Sequence, residues 1–162
     1  MRVTLRPRAD HQATMSAGRC PRLDRGRAGA LPYESERRLE AAQSDPDAGL
    51  LALVREASGT VIGLLDYRAN SPDRGWLTIG CIAVVAGQRG WGYGSEAVRL
   101  LEAEAKATRF LAGVGARNGL GLYFWLRLGY RPALPGEVPG GPRGGMISMV
   151  RVGRTENREP RT

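Results

Sequence analysis

The stretch Gln88–Val98, QRGWGYGSEAV, carries glycine at every second position from Gly90 to Gly94 and then becomes helical in pattern. It follows directly after WLTIGCIAVV, residues 76–85, an apolar run of strand length. A linking turn does not need three glycines, whereas the N–H groups of such a loop and of the helix after it converge on one electropositive point. We therefore predict an anion-binding loop between a buried strand and a helix. The glycines would leave room for a phosphate, and Ser95 would cap the helix.

Outside this stretch, the sequence alternates apolar runs of strand length with helical periods. Strands are predicted at residues 3–6, 50–55, 61–67, 76–85, 110–114, 130–132 and 146–152, and helices at 33–43, 94–106 and 118–128. Gly129 follows the last of these helices in the position of a C-cap. This order predicts one mixed sheet with helices on its faces, in the α/β (α+β) class.

The chain has 162 residues, which is the size of one domain. We expect that domain to span residues 1–152, with an atypical segment at 1–48 and a flexible tail at 153–162. The N-terminus lacks the apolar centre of a secretory signal, and no apolar run is long enough to cross a membrane. The expected location is therefore cytoplasmic, with no membrane partner.

Cysteine and histidine are scarce. Cys20 and Cys81 do not form a CxxC pair, and we expect two reduced thiols in a reducing compartment. The single histidine, His11, excludes a multi-histidine zinc site and a Ser/His/Asp triad. No metal is therefore expected.

The net charge is +8, and every positive side chain except Lys106 is an arginine. The arginines crowd into residues 2–27 and 151–161, where aromatic residues for base stacking are sparse. A basic solvated surface that tolerates anionic ligands therefore explains the charge better than a nucleic-acid-binding module does.

Phosphate-binding loops of three kinds can be compared with the glycine stretch. A P-loop, GxxxxGK[ST], needs a lysine that is missing here. Residues 92–97 match the dinucleotide pattern GxGxxA, but seven residues separate them from the strand end at Val84, and no acidic residue follows the next strand. Arg89–Gly94 reads R-x-x-G-x-G and follows the strand that ends Cys81-Ile82-Ala83-Val84. It resembles the acyl-CoA-binding motif of the GNAT superfamily of N-acetyltransferases.

A second stretch supports the same resemblance. Asn118–Tyr130, NGLGLYFWLRLGY, is similar to the family's N-x-x-A-x-x-F-Y-x-x-x-G-F in its asparagine, phenylalanine, closing glycine and final aromatic. The resemblance covers residues 50–151 well and the first 48 residues poorly. It implies a GNAT-like domain with a mostly antiparallel central sheet. It also implies direct transfer of an acetyl group from acetyl-CoA to a primary amine of an unidentified acceptor, by a monomer or homodimer.

The resemblance further implies where acetyl-CoA binds. The backbone of residues 82–84 would pair with the pantetheine arm, residues 89–95 would wrap the pyrophosphate, and Asn118 with its helix would line the thiol end. The cofactor-binding residues implied in this way are Ile82, Ala83, Val84, Arg89, Gly90, Trp91, Gly92, Tyr93, Gly94, Ser95, Asn118 and Trp125.

The proton donor departs from the family's pattern. Trp125 stands where the family often has a tyrosine that protonates the leaving thiolate, and an indole N–H is not a usable acid. Tyr123 lies two residues earlier, about 200° around a helix. It can take the role only if the helix is irregular, which Gly119 and Gly121 would allow. Either Tyr123 is the acid or no tyrosine acid exists.

The general base is also open. Some family members carry a glutamate where this chain has Thr78. The remaining candidate carboxylates are Glu34, Glu36, Asp66 and Asp73, although acidic side chains are usually no more than solvated surface groups. An ordered chain of water molecules is the other route.

Three other functions stay open at this point. The loss of the tyrosine at position 125 is compatible with an acyl-CoA-binding protein that lacks catalysis. The partial GxGxxA match leaves open the function of a dinucleotide-binding fragment. The arginine content leaves open that of a basic nucleic-acid-binding module.

Overall fold

The computed structural model describes residues 2–7, 45–141 and 144–153. The strands are β1 (Val3–Pro7), β2 (Ala48–Arg55), β3 (Thr60–Ala69), β4 (Trp76–Val84), β5 (Arg109–Gly115), β6 (Arg131–Pro132) and β7 (Met146–Val152). The helices are α1 (Tyr93–Glu104) and α2 (Gly119–Arg127), and a short 3-10 turn spans Ala86–Gln88. The helix predicted at 33–43 lies outside the described residues, as do His11, Cys20, Glu34 and Glu36.

The seven strands form one sheet in the order β1-β2-β3-β4-β5-β7-β6. β4 and β5 run parallel, and every other neighbouring pair is antiparallel. The predicted mixed, mostly antiparallel sheet is therefore confirmed, and each strand predicted within the described residues is present within a few residues of its expected bounds. Within those same residues, no helix has the length and apolar character that a membrane span requires.

The parallel pair β4–β5 is short. It runs only from Trp76 opposite Arg109 to Ile79 opposite Ala112. β4 nevertheless continues to Val84 and stays paired with β3 over that length. We call the gap between the two strands beyond Ile79 the fork. Along the fork, one edge of β4 has no neighbouring strand.

A β-bulge lies where the fork begins. The β3–β4 register steps from Tyr67 opposite Ile79 to Asp66 opposite Cys81, so Gly80 is an extra residue on β4. Bulges bend a strand and increase its local twist. The bulge therefore accounts for the separation of β4 from β5 at this point.

The main core lies between the sheet and the two helices. α1 buries Tyr93, Ala97, Val98 and Leu101 on one side, and these pack with alternate residues of the central strands. Ala97, Val98 and Leu101 recur at helical spacing, and their burial gives α1 one apolar face. Because the core fixes α1 against the sheet, it also fixes the N-terminus of α1 at the end of the fork where β4 stops.

A polar contact joins three elements at the edge of this core. The Tyr130 hydroxyl, in a residue only 2% exposed, donates to Glu102 Oε1 of α1 at 2.7 Å. Arg151 of β7 donates to Glu102 Oε2 at 2.6 Å. Burial first, and then the hydrogen bond to Glu102, raises the pKa of Tyr130 well above its usual value. The contact holds the C-terminal half of α1 to β7 and to the segment between α2 and β6.

Removing the Tyr130 hydroxyl should destabilise the protein. We expect Tyr130→Phe to lower the free energy of unfolding by about 2 kcal/mol, because a hydrogen bond to a charged group is lost. Urea denaturation measures this difference. Tyr123→Phe is the matched control, since Tyr123 is 59% exposed and should leave the midpoint unchanged.

The difference in the free energy of unfolding between the wild type and Tyr130→Phe should depend on pH. Below about pH 10 the phenol is protonated in both the folded and the unfolded chain. Above that pH only the unfolded chain releases the proton, because the folded pKa is raised, so the wild-type protein loses stability as pH rises. Tyr130→Phe lacks this loss, and the gap between the two proteins should narrow in alkali. A gap that widens in alkali would contradict the assignment.

Candidate functional site

The open edge of β4 offers main-chain hydrogen-bonding groups to the fork. Val85 N–H donates to Ile62 O of β3 at 2.9 Å. In an antiparallel ladder, successive residues direct their N–H and C=O groups to alternate sides. Ile82 and Val84 therefore direct theirs into the fork, whereas Ala83 directs its groups to β3. Of the three residues expected to pair with a ligand through the backbone, two face the fork.

Arg89 closes the outer end of this edge. Its Nε donates to Val84 O at 2.8 Å, and the rest of the side chain is exposed. One of the two carbonyls that face the fork thus already accepts a bond from the protein. The guanidinium is held beside the point where β4 ends and the glycine loop begins.

Two of the three loop glycines have backbone conformations that favour glycine. Gly90 has φ of 80° and Gly92 has φ of 85°. A Cβ at either position would meet no protein atom within 4 Å. Side chains are therefore disfavoured here by the backbone conformation, and the space beside both residues is open to a ligand.

The third glycine has a different role. Gly94 lies inside α1, and a Cβ there would sit 3.5 Å from Phe124 Cε2 and 3.6 Å from Ile82 Cδ1. A Cβ at this position would therefore make ordinary van der Waals contacts with α2 and β4. The expectation that all three glycines leave room for a phosphate is wrong for Gly94, which faces protein.

The N-terminus of α1 supplies donors beside this open space. The first helical bond runs from Glu96 N–H to Gly92 O at 3.0 Å, so the N–H groups of Tyr93, Gly94 and Ser95 have no acceptor within the helix. They carry the positive end of the helix dipole. The prediction that Ser95 caps the helix is wrong. The N-cap is Gly92, and Ser95 lies within the first turn.

Asn118 caps the second helix. Its Oδ1 accepts from Gly121 N–H at 2.9 Å, as an N-cap does. A Cβ on Gly121 would come within 2.5 Å of Asn118 Nδ2, so this cap depends on the glycine that follows it. The amide oxygen of Asn118 is thus used within α2. The cap could have been recognised in the sequence, because asparagine precedes a helical period there.

Tyr123 and Trp125 lie on different sides of α2. Trp125 is 6% exposed and packs edge-on against Phe124 and Tyr130, with ring centroids 5.1 and 4.8 Å apart. Tyr123 is largely exposed, and the Arg127 guanidinium lies 5.7 Å from the centre of its ring. α2 is continuous from Gly119 to Arg127, so the helix does not turn Tyr123 toward the side of Trp125.

The candidate carboxylates are well separated. Asp66 lies on β3 opposite the bulge, and its side chain is half-buried. Asp73 is exposed in the turn before β4, and its Oδ1 accepts from Arg74 N–H at 2.7 Å. Thr78 donates its hydroxyl to Ser71 O at 2.6 Å. Only Asp66 of these three is at the fork. Nowhere in the described ranges are three or more His, Cys, Asp or Glu side chains grouped so as to hold a metal ion.

Comparison with known proteins gives a family and a fold. The sequence matches the profile of the Acetyltransferase (GNAT) family over residues 20–130. A comparison with curated protein sequences gave no match. Among solved structures, an acetyltransferase from Thermus thermophilus is similar, with a TM-score of 0.67 and 19% identity over 94% of this chain and 97% of that one.

Two further structures share the fold. A GNAT family acetyltransferase from Elizabethkingia anophelis with acetyl-CoA bound has a TM-score of 0.59 and 17% identity, over 93% of this chain and 97% of that one. The dodecameric spermidine N-acetyltransferase from Vibrio cholerae has a TM-score of 0.61 and 14% identity, over 93% of each chain. The profile match establishes the family, and the structures establish the fold.

Proposed function

The chain belongs to the GNAT acetyltransferase family, and from that premise we propose that it transfers an acetyl group from acetyl-CoA to a primary amine. One observation carries the proposal: the open edge of β4 ends at the glycine loop, which leads into the N-terminus of α1. These features suit the two halves of coenzyme A. The amide-containing pantetheine arm matches the strand edge, and the pyrophosphate matches the helix terminus.

Pantetheine would bind as an additional strand in the fork. Its amides would exchange hydrogen bonds with the main-chain groups of Ile82 and Val84, which face that way. Because Val84 O accepts from Arg89 in the structure, the arm would either use Val84 N–H alone or displace that contact. Ala83 would support the edge through its pairing with β3 and would not bind the cofactor through its backbone.

The pyrophosphate would bind at the glycine loop. The N–H groups of Tyr93, Gly94 and Ser95 would donate to it together with those of the loop residues 90–92. Arg89 Nε donates to Val84 O, and the remaining N–H groups of the guanidinium would add positive charge beside the glycine loop. Trp91 is 60% exposed on the same loop, where it would flank the cofactor.

The reaction would be a direct acyl transfer. A neutral amine would attack the thioester carbon, a C–N bond would form, and the C–S bond would break with release of the CoA thiolate. The nitrogen would give up one proton, which leaves a neutral amide. A thiol has a pKa of about 8.5 in water, so a thiolate is a tolerable leaving group near neutral pH without a strong acid beside it. This suits a site in which position 125 carries a tryptophan buried in the core.

Acetyl-CoA should stabilise the folded chain. A ligand present at about 100 times its dissociation constant adds about 2.7 kcal/mol to stability. We therefore expect the melting temperature to rise by several degrees in millimolar acetyl-CoA, measured by differential scanning fluorimetry. NAD, NADP and a short DNA duplex are the controls for the other binding functions and should leave the melting curve in place.

Turnover separates an enzyme from a protein that only binds acyl-CoA. Incubation with acetyl-CoA and a panel of primary amines should give an N-acetylated product by mass spectrometry, together with released thiol. A melting shift without product from any amine would favour the non-catalytic function. No shift at all would contradict acyl-CoA binding.

The conformation of Gly92 allows a matched test of the loop. Gly92→Val would place side-chain atoms in the open space beside the N-terminus of α1, and we expect acetyl-CoA affinity to fall at least tenfold by calorimetry. Gly75→Val is the control, because Gly75 has a similar φ of 82° in the turn before β4. Both variants place a branched side chain at a positive φ and therefore carry backbone strain of the same kind. Equal loss of affinity in the two would show that strain, and not ligand space, is responsible.

A substitution at Tyr123 tests whether this residue is the general acid that protonates the thiolate. Because its side chain is largely exposed on the side of α2 away from Trp125, we expect Tyr123→Phe to keep kcat within about twofold of wild type on the best amine. General-acid catalysis is worth about a hundredfold or more. A fall of that size in kcat with unchanged acetyl-CoA affinity would make Tyr123 the acid.

A further inference from the structure

The start of the fork holds one carboxylate above a glycine. Asp66 of β3 faces Cys81 of β4 across the bulge. A Cβ built on Gly80 would lie 2.7 Å from Asp66 Oδ1 and 2.8 Å from Oδ2. Contacts this short do not occur for real Cβ atoms, so the Asp66 carboxylate occupies the space that a side chain at position 80 would need. The glycine and the carboxylate therefore depend on each other.

The position of Gly80 relates this carboxylate to the thioester. The glycine loop follows the outer end of β4, so the pantetheine arm would enter there and run inward past Val84 and Ile82. From Ile82 to Gly80 the strand advances by two residues, or roughly 7 Å. This length brings the inner end of the arm to Gly80. Gly80 comes directly after Ile79, the last residue of β4 that pairs with β5. The thioester would therefore lie beside the Asp66 carboxylate.

Asp66 also lies on the face of the sheet opposite α1. Its neighbour Leu65 is buried in the core beneath α1, and successive side chains of a strand alternate between faces. The opposite face carries Trp76 and Val150, which pack with Val138 from the loop after β6. In the proposed arrangement the second substrate would approach Asp66 from this face, while acetyl-CoA would occupy the fork and the terminus of α1.

The carboxylate of Glu137, in the same loop, is committed to other contacts. It binds Arg131 through two hydrogen bonds of 2.7 and 2.8 Å and also accepts from Leu134 N–H. The Arg131 guanidinium is the main reason that the pKa of Glu137 is lowered, to about 2. Glu137 therefore serves the fold of the loop that flanks this face.

We propose that Asp66 receives the ammonium group of the acceptor and takes up its proton, so that the acceptor is a cationic primary amine. This inference rests on the proposed acetyltransferase function. The first proton passes from R–NH₃⁺ to the Asp66 carboxylate, and the neutral nitrogen forms a bond to the thioester carbon. The C–S bond breaks, and the second proton of nitrogen passes to the departing sulfur. Asp66 returns its proton to water, so the balance is R–NH₃⁺ plus acetyl-CoA to R–NH–acetyl, CoA–SH and H⁺.

The test compares three variants on one amine. The amine is whichever member of a panel of n-butylamine, 1,4-diaminobutane, lysine and spermidine has the highest wild-type kcat/KM. Asp66→Asn removes the charge and keeps the shape. Gly80→Ala keeps the carboxylate but pushes it from its position. Asp73→Asn is the matched control, an exposed aspartate in the turn at the far end of β4.

We expect Asp66→Asn to lower kcat/KM for the amine about a hundredfold or more, the size of a general-base contribution. Gly80→Ala should lower it at least tenfold, and Asp73→Asn should stay within about twofold of wild type. The dissociation constant of acetyl-CoA, measured by calorimetry, should stay within about twofold in all three. Urea midpoints report folding, and Gly80→Ala carries the test if Asp66→Asn does not fold.

Two outcomes would overturn the assignment. Asp66→Asn or Gly80→Ala with wild-type kcat/KM would show that the carboxylate does not act on the amine. An equal loss of acetyl-CoA binding in Asp66→Asn would show a structural role instead. Failure of the proposed function looks different, because the wild-type protein itself would then acetylate no amine of the panel.

Discussion

The separation of β4 from β5 after Ile79 is the constraint on which the rest of the site depends. A strand edge inside a sheet normally finds partners for all its N–H and C=O groups. Here β4 keeps its partner on one side and loses it on the other for the length of the fork. Arg89 satisfies one of the exposed carbonyls. The remaining groups of the edge suit a ligand with amides of its own, and this is why a strand-like cofactor arm matches the fork better than a compact ligand would.

The local pattern of the sequence was enough to predict the strands and the glycine loop. The strand from Trp76, the loop and the helix after it lie where the periodicity placed them, because each is specified by neighbouring residues. The bulge was also signalled, since an isolated glycine within a strand pattern often marks one. The apolar run at residues 76–85 nevertheless predicts one continuous strand across Gly80. The roles of Ser95 and Gly94 depend on where the first helical turn begins, and boundaries of this kind are poorly specified by sequence.

The location of Asp66 could not be predicted from the sequence for a different reason. Along β3 it is an acidic residue that follows an apolar run, and nothing near it in sequence indicates a site. Its position at the fork depends on the register between β3 and β4, which shifts by one residue at Gly80. The register is a property of two strands and a bulge together. The sequence therefore supplied Asp66 as one of four candidate carboxylates, and the pairing of the strands separates it from Asp73 and Thr78.

Helix α2 links the packing of the core to the chemistry of the fork. Phe124 contacts the position of Gly94 in α1, and Trp125 packs between Phe124 and Tyr130. Tyr130 in turn is bonded to Glu102 of α1. The aromatic side chain at position 125 therefore belongs to a cluster that holds the two helices together, and it is not available as a proton donor. The proton that the departing sulfur finally gains must then come from another source. The attacking nitrogen carries one proton more than its amide product keeps, so the reaction itself provides that source.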